Sequence, residues 1–195
     1  MSPSRTELGS VPADSVPADS VPAGDVPAPD NVPAPSDFTA IQDAFARCRR
    51  YRKEHGLYSV VDPALGRIML EIGSVGAVVM PADFGEKVRD RLISGSEQRP
   101  GPIIAHPRSN RWTFLTGPTD NSYLDTALFS NLFRVCASIA LPGSHIVLPS
   151  PTDEHGGYRT WVAAPEGDFR RDLAEVLTAT RACASVNGVL ARAAE

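Results

Sequence analysis

The 195-residue sequence holds only three cysteines, Cys48, Cys136 and Cys183, and no two form a Cys-x-x-Cys pair. An odd, scattered set excludes a disulfide framework or a zinc knuckle, and buried free thiols in a reducing compartment are the expectation. No basic start followed by an apolar core opens the chain, so no signal peptide is expected. The longest uncharged stretch, Val135 to Thr152, is interrupted by Pro142, Pro149 and Pro151 and is too polar to cross a bilayer. A soluble, cytoplasmic protein with no membrane partner is expected. Excess charge of one sign is also missing. The formal net charge is −4, and most of it sits at one end.

What the sequence has in excess is proline, and it is concentrated. Eight of the 18 prolines lie in residues 1–37, with six acids and a single base, Arg5. Residues 38–195 are therefore left at +1, which excludes a strongly basic nucleic-acid binder and a wholly disordered chain. A Val-Pro-Ala unit recurs from Val11, Val16, Val21, Val26 and Val32. Each proline fixes its own φ and biases its predecessor away from the helical region. Residues 1–37 thus read as a disordered acidic Pro/Ala repeat tail, either a docking arm for a protein partner or a low-complexity extension. Residues 38–195 read as one domain.

Within that domain, Thr39 and Gln42 suggest a capping box, with Phe38, Ile41, Phe45 and Cys48 on one helical face. Gly56 ends that helix. Leu57–Val61 and Arg67–Ile72 form a hairpin around Asp62-Pro63 and Gly66. Val75–Met80 is a short apolar run, as a strand buried on both faces should be. Pro81 and Asp83 open a helix through Phe84, Val88 and Leu92. Strands at Ile103–His106 and Trp112–Thr116 flank a turn, Pro107–Asn110. A helix is expected over Leu124–Ala137. Strands are expected at Ser138–Leu141, His145–Leu148 and Tyr158–Val162, then a last helix over Phe169–Val186. The sum is an α+β domain, a mixed or antiparallel sheet flanked by about four helices.

Several residues invite chemistry. Arg47, Arg49, Arg50, Arg52 and Lys53 surround Tyr51, a pattern that suits phosphate contact with a stacking aromatic, or a solvated helix face. Arg108, Ser109, Asn110 and Arg111 crowd one turn, where two guanidiniums could hold an anion without metal; an exposed hairpin tip is the competing reading. His106, His145, Asp153, Glu154 and His155 lack metal-ligand spacing, so no metal site is assigned. Ser109 and Ser150 have no Gly-x-Ser-x-Gly elbow. Trp112 and Trp161 read as core or groove aromatics.

Three segments, in order, resemble the N-terminal domain of bifunctional DNA primase/polymerases, the prim-pol branch of the archaeo-eukaryotic primases. They are GAVVMPADFGEKV (Gly76–Val88), GPIIAHPRSNRWTFLTGP (Gly101–Pro118) and ASIALPGSHIVLPSPTDEHGGYRTWV (Ala137–Val162). Together they cover about half the chain, and the likeness is to small stand-alone members of actinobacterial type. The resemblance implies a prim-pol-like fold and nucleotidyl transfer, which uses two divalent metals, Mg or Mn, held by carboxylates. The family's Asp-x-Asp pair, however, falls on Gly76–Met80, where no carboxylate stands between Glu71 and Asp83. Its histidine falls on Trp112 or Arg111, and its third acid within Ile139–Leu141. Gly76–Met80, Trp112 and Leu141 should then surround one cleft.

Without those acids, little remains to stabilise charge developing on the phosphates. The expectation is a catalytically degenerate domain, a pseudoenzyme without cofactor. It would bind a nucleotide, a single-stranded nucleic acid or a partner in DNA replication. Arg108, Ser109, Arg111 and Trp112 would meet phosphate, and Arg49, Arg50, Arg52 and Lys53 would form a nucleic-acid patch. One alternative is an active primase/polymerase using Asp83 with Asp153 or Glu154 and bound Mg or Mn. Another is a scaffold protein working through its tail.

Overall fold

The computed structural model describes residues 35–94, 98–119 and 126–193, without the side chains of residues 35–37, 127 and 186–193. In chain order the elements are α1 (Pro35–His55), β1 (Ser59–Asp62), β2 (Arg67–Glu71), β3 (Gly76–Pro81), α2 (Ala82–Ile93), β4 (Ile103–His106), β5 (Arg111–Thr116), α3 (Thr126–Arg134), β6 (Ser138–Ile139), β7 (His145–Leu148), α4 (Pro151–His155), β8 (Thr160–Ala163) and α5 (Leu173–Ala193). The α+β class is as expected. The strands make two sheets: three-stranded β1-β2-β7 and five-stranded β6-β3-β5-β4-β8. Every strand pair is antiparallel, and the parallel element among the described residues is an isolated bridge, Thr116 to Arg171.

The five-stranded sheet is buried on both faces, and strand alternation divides its side chains between two cores. Val78, Met80, Ile103, Trp112 and Phe114 join α2, α3 and α5 through Phe84, Val88, Leu132, Val176 and Leu177. Their neighbours Ala77, Ile104 and Leu115 face the other way. They meet Ile68, Leu70 and Leu148 of the smaller sheet and Ala44, Cys48 and Tyr51 of α1. This is why β3 reads as an unbroken apolar run rather than an alternating one.

Several boundaries differ from the sequence expectation. Helix α1 begins at Pro35, so residues 35–37, expected in the tail, form its first turn, where proline costs no helical hydrogen bond. Thr39 is then inside the helix and no capping box forms there. The buried stripe of α1 is Ala44, Cys48 and Tyr51, while Phe38 and Phe45 are exposed. Helix α3 ends at Arg134, before Cys136 at φ 51°; Leu124 and residues 1–34 lie outside the described residues. Cys136 is exposed, against the expectation of buried thiols, whereas Cys48 is buried. Helix α4 was not expected. Its signal was present: Ser150 caps it by accepting from the Asp153 N–H, with Pro151 at the first helical position.

One tyrosine ties the layers together. The Tyr51 hydroxyl donates to the Pro149 carbonyl at 2.7 Å and accepts from Trp161 Nε1 at 2.9 Å. It thereby joins α1 to the β7–α4 junction and to β8. Burial raises its pKa, so the phenol stays neutral and can serve both bonds. Tyr51→Phe strands a carbonyl and an indole N–H together and should cost about 1–3 kcal/mol, read by urea unfolding. At Gly76, a Cβ would lie 2.6–2.7 Å from Thr116 Oγ1, Thr119 Oγ1 and the Gly117 carbonyl, whereas one at Gly73 meets nothing within 4 Å. Gly76→Ala should therefore destabilise by about 1–3 kcal/mol, and Gly73→Ala should unfold close to wild type; equal midpoints for the two would refute this packing.

Candidate functional site

The face of the five-stranded sheet opposite Trp112 carries a polar cleft. Antiparallel register places His106 of β4 opposite Arg111 of β5 and Ile104 opposite Thr113. Because side chains two apart share a face, His106, Arg111 and Thr113 point the same way. Val79 of β3 pairs with Thr113 and joins them. Strand β7 of the smaller sheet supplies His145, Ile146 and Val147 as the facing wall, and Arg159 enters from the segment before β8. These residues and Ser109 line a cavity of about 280 Å³.

Each polar group is held. His106 Nε2 and Thr113 Oγ1 are 2.8 Å apart, and Thr113 is buried. Ser109 Oγ donates to the His106 carbonyl at 3.3 Å. Arg111 Nη2 donates to the Cys136 carbonyl at 2.8 Å and the Val79 carbonyl at 3.4 Å, so its guanidinium spans β5, β3 and the end of α3. Arg159 Nη1 donates to Asp153 Oδ1 at 2.7 Å, while Ser150 Oγ donates to Asp153 Oδ2 at 2.8 Å. Asp153 is buried, and this ion pair fixes Arg159 at the wall. The Arg159 Nε–H is buried and has no acceptor among the described residues.

The balance of charge is positive. Two guanidiniums border the cavity, and the Asp153 carboxylate beside them is already paired; His145 lies opposite Glu71 on the outer face of the smaller sheet. Burial lowers the His106 pKa, helped by the charges of Arg159 and Arg111 and opposed by Asp153. Its imidazole is therefore neutral at pH 7. Such walls can accept an anion through charge-assisted hydrogen bonds.

The residues singled out from sequence separate into distinct places. Ser109 and Arg111 belong to the cleft. Trp112 does not: alternation turns it to the other face, where it is 8% exposed, packs against Gly85, and lies under Arg89 at 5.4 Å. Arg108 swings away and stacks on the Tyr158 ring at 3.6 Å. Leu141 is exposed in the turn after β6, so Gly76–Met80, Trp112 and Leu141 do not share one cleft. Asp83 is exposed in the first turn of α2.

Of the basic run on α1, Arg47 pairs with Glu154 at 3.0 Å and Arg50 with Glu54 at 3.7 Å. Arg49, Arg52 and Lys53 are exposed. Tyr51 is 3% exposed and cannot stack on a base. His155 Nδ1 lies 2.7 Å from the Pro151 carbonyl. Among the described residues, no three His, Cys, Asp or Glu side chains gather as metal ligands would. No helix among them is long and apolar enough to cross a membrane.

Sequence reading missed Arg159 and the pairing of His106 with Thr113. The signal for Arg159 was the Ser-Pro-x-Asp start of α4, which fixes a buried carboxylate and so calls for a cation. Arg171 was also missed. It is buried, and donates to the carbonyls of Leu92 at 3.0 Å and Arg99 at 2.9 Å, closing the C-terminal end of α2. No protein-family model, curated protein or solved structure matches the chain.

The sign of the His106 shift gives a pH test. Below pH 6.5 the unfolded imidazole takes up a proton that the folded one refuses, so stability should fall as pH drops from 6.5 toward the folded value. An NMR titration should place the His106 midpoint below 6.5. Arg159→Gln should raise it by removing one repelling charge; an unchanged midpoint would show that Arg159 does not face the ring.

Proposed function

We propose that the cleft between the sheets binds the phosphate groups of a nucleotide or single-stranded nucleic acid, without divalent metal and without catalysis. On this reading the domain is a degenerate relative of the prim-pol primase/polymerases. The meeting of two guanidiniums, Arg111 and an Arg159 held in place by Asp153, at one cavity carries the proposal. A phosphate there would take charge-assisted hydrogen bonds from the exposed guanidinium edges of Arg111 and Arg159.

The walls fit an anion better than a pair of magnesium or manganese ions. Where the resemblance would put metal-binding acids, β3 presents Val79, paired with Ser138 of β6. Asp153 is held by Arg159 and Ser150, and Glu154 by Arg47. An active enzyme using Asp83 with either of them would have to break an ion pair first. With Trp112 on the helical face, the likeness rests on the order of the three segments and on Val79 and Arg111.

Calorimetry of the full chain with a nucleoside triphosphate, in EDTA and then with manganese, tests the reading. Binding should persist in EDTA, weaken as salt rises, and fall about tenfold in Arg159→Gln, the loss of one charge-assisted contact. Binding that requires manganese would instead favour an active enzyme. Heat-silent titrations in both conditions would leave the scaffold reading, with the tail as the place to look.

A further inference from the structure

A second cavity lies on the other side of the five-stranded sheet. It is the larger, at about 660 Å³, within the range of small-molecule sites. Phe84 of α2, Val135 after α3 and Ala184 of α5 give it apolar surface; Asn131 and Arg134 of α3 and Arg181 of α5 give it polar surface. Trp112 and Phe114 fill the sheet face beneath these helices, so the sheet separates this cavity from the cleft that holds Arg111 and Thr113.

The convergence of its arginines is the informative feature. Like most of the described arginines, Arg134 and Arg181 have no carboxylate within 4.0 Å among the described residues, but two separate helices bring these two to one cavity. More positive charge stands close by. Arg91 is near enough to Cys183, next to Ala184, to oppose the rise in thiol pKa that burial causes. Like charges gathered around an apolar recess repel one another, and a ligand anion would relieve that repulsion.

We infer that this helical-face cavity binds a small organic anion, an apolar body carrying a phosphate or carboxylate head. The body lies on Phe84, Val135 and Ala184. The head sits between Arg134 and Arg181, with the Asn131 amide as a further donor. This site is independent of the cleft and of its proposed ligand.

The test is amide NMR of the full chain titrated with hexyl phosphate and with heptanoate, against inorganic phosphate and hexanol. At least one organic anion should shift the amides of Phe84, Val135 and Ala184 saturably, and bind at least tenfold more tightly than inorganic phosphate or hexanol. Arg134→Gln with Arg181→Gln, both at exposed positions, should weaken that binding tenfold or more, with other amides unmoved. Arg159→Gln should leave it unchanged. Equal binding by the double variant, equal binding of hexanol, or shifts confined to the cleft would each overturn the inference.

Discussion

The Tyr51 hydroxyl ties the two sheets together across the apolar core they share. Tyr51 is the point at which α1, the β7–α4 junction and β8 meet, through one bond donated to Pro149 and one accepted from Trp161. The edge of Trp161 also meets the Tyr51 ring at 5.8 Å and 78°, so polar and aromatic contacts fix the same geometry. Strand β7 belongs to one sheet and β8 to the other, and Tyr51 bonds at the end of β7 and within β8.

The cleft combines hydrogen bonds that build the fold with hydrogen bonds that would serve a ligand. Arg111 is largely committed to backbone carbonyls and acts as a cross-strand clamp. Arg159 is half committed: one nitrogen neutralises Asp153, and its Nε–H is left over. Such a buried pair contributes modestly to stability because desolvation offsets attraction. It does hold a charge in place before any ligand arrives, and preorganisation is where affinity is gained.

Much of the fold was legible because burial leaves a periodic trace. The apolar run of β3, the hairpin of β1 and β2, and the i, i+4 faces of α2 and α5 follow from that trace. Helix α1 misled because its larger side chains, Phe38 and Phe45, face solvent while Ala44 and Tyr51 face the core. Apolar spacing identified the helix but not which of its stripes was buried. The site was less legible for a different reason. Ser109 and Arg111 could be found from one crowded turn, but the cleft also needs Arg159 and a wall supplied by β7 of the other sheet. Their meeting is set by register and by the sheet-to-sheet angle, neither of which has a local signature. A one-residue shift in the assumed face was enough to put Trp112 where Thr113 belongs.

The stack of Arg108 on Tyr158 changes what the surface between Ser109 and Arg159 can offer. Tyr158 is 44% exposed, and its ring would otherwise be a platform for a flat heterocycle. With a guanidinium 3.6 Å from the ring centre, that face is already taken by a planar cation. The surface here thus presents a charged, hydrogen-bonding plane in place of a bare hydrocarbon one.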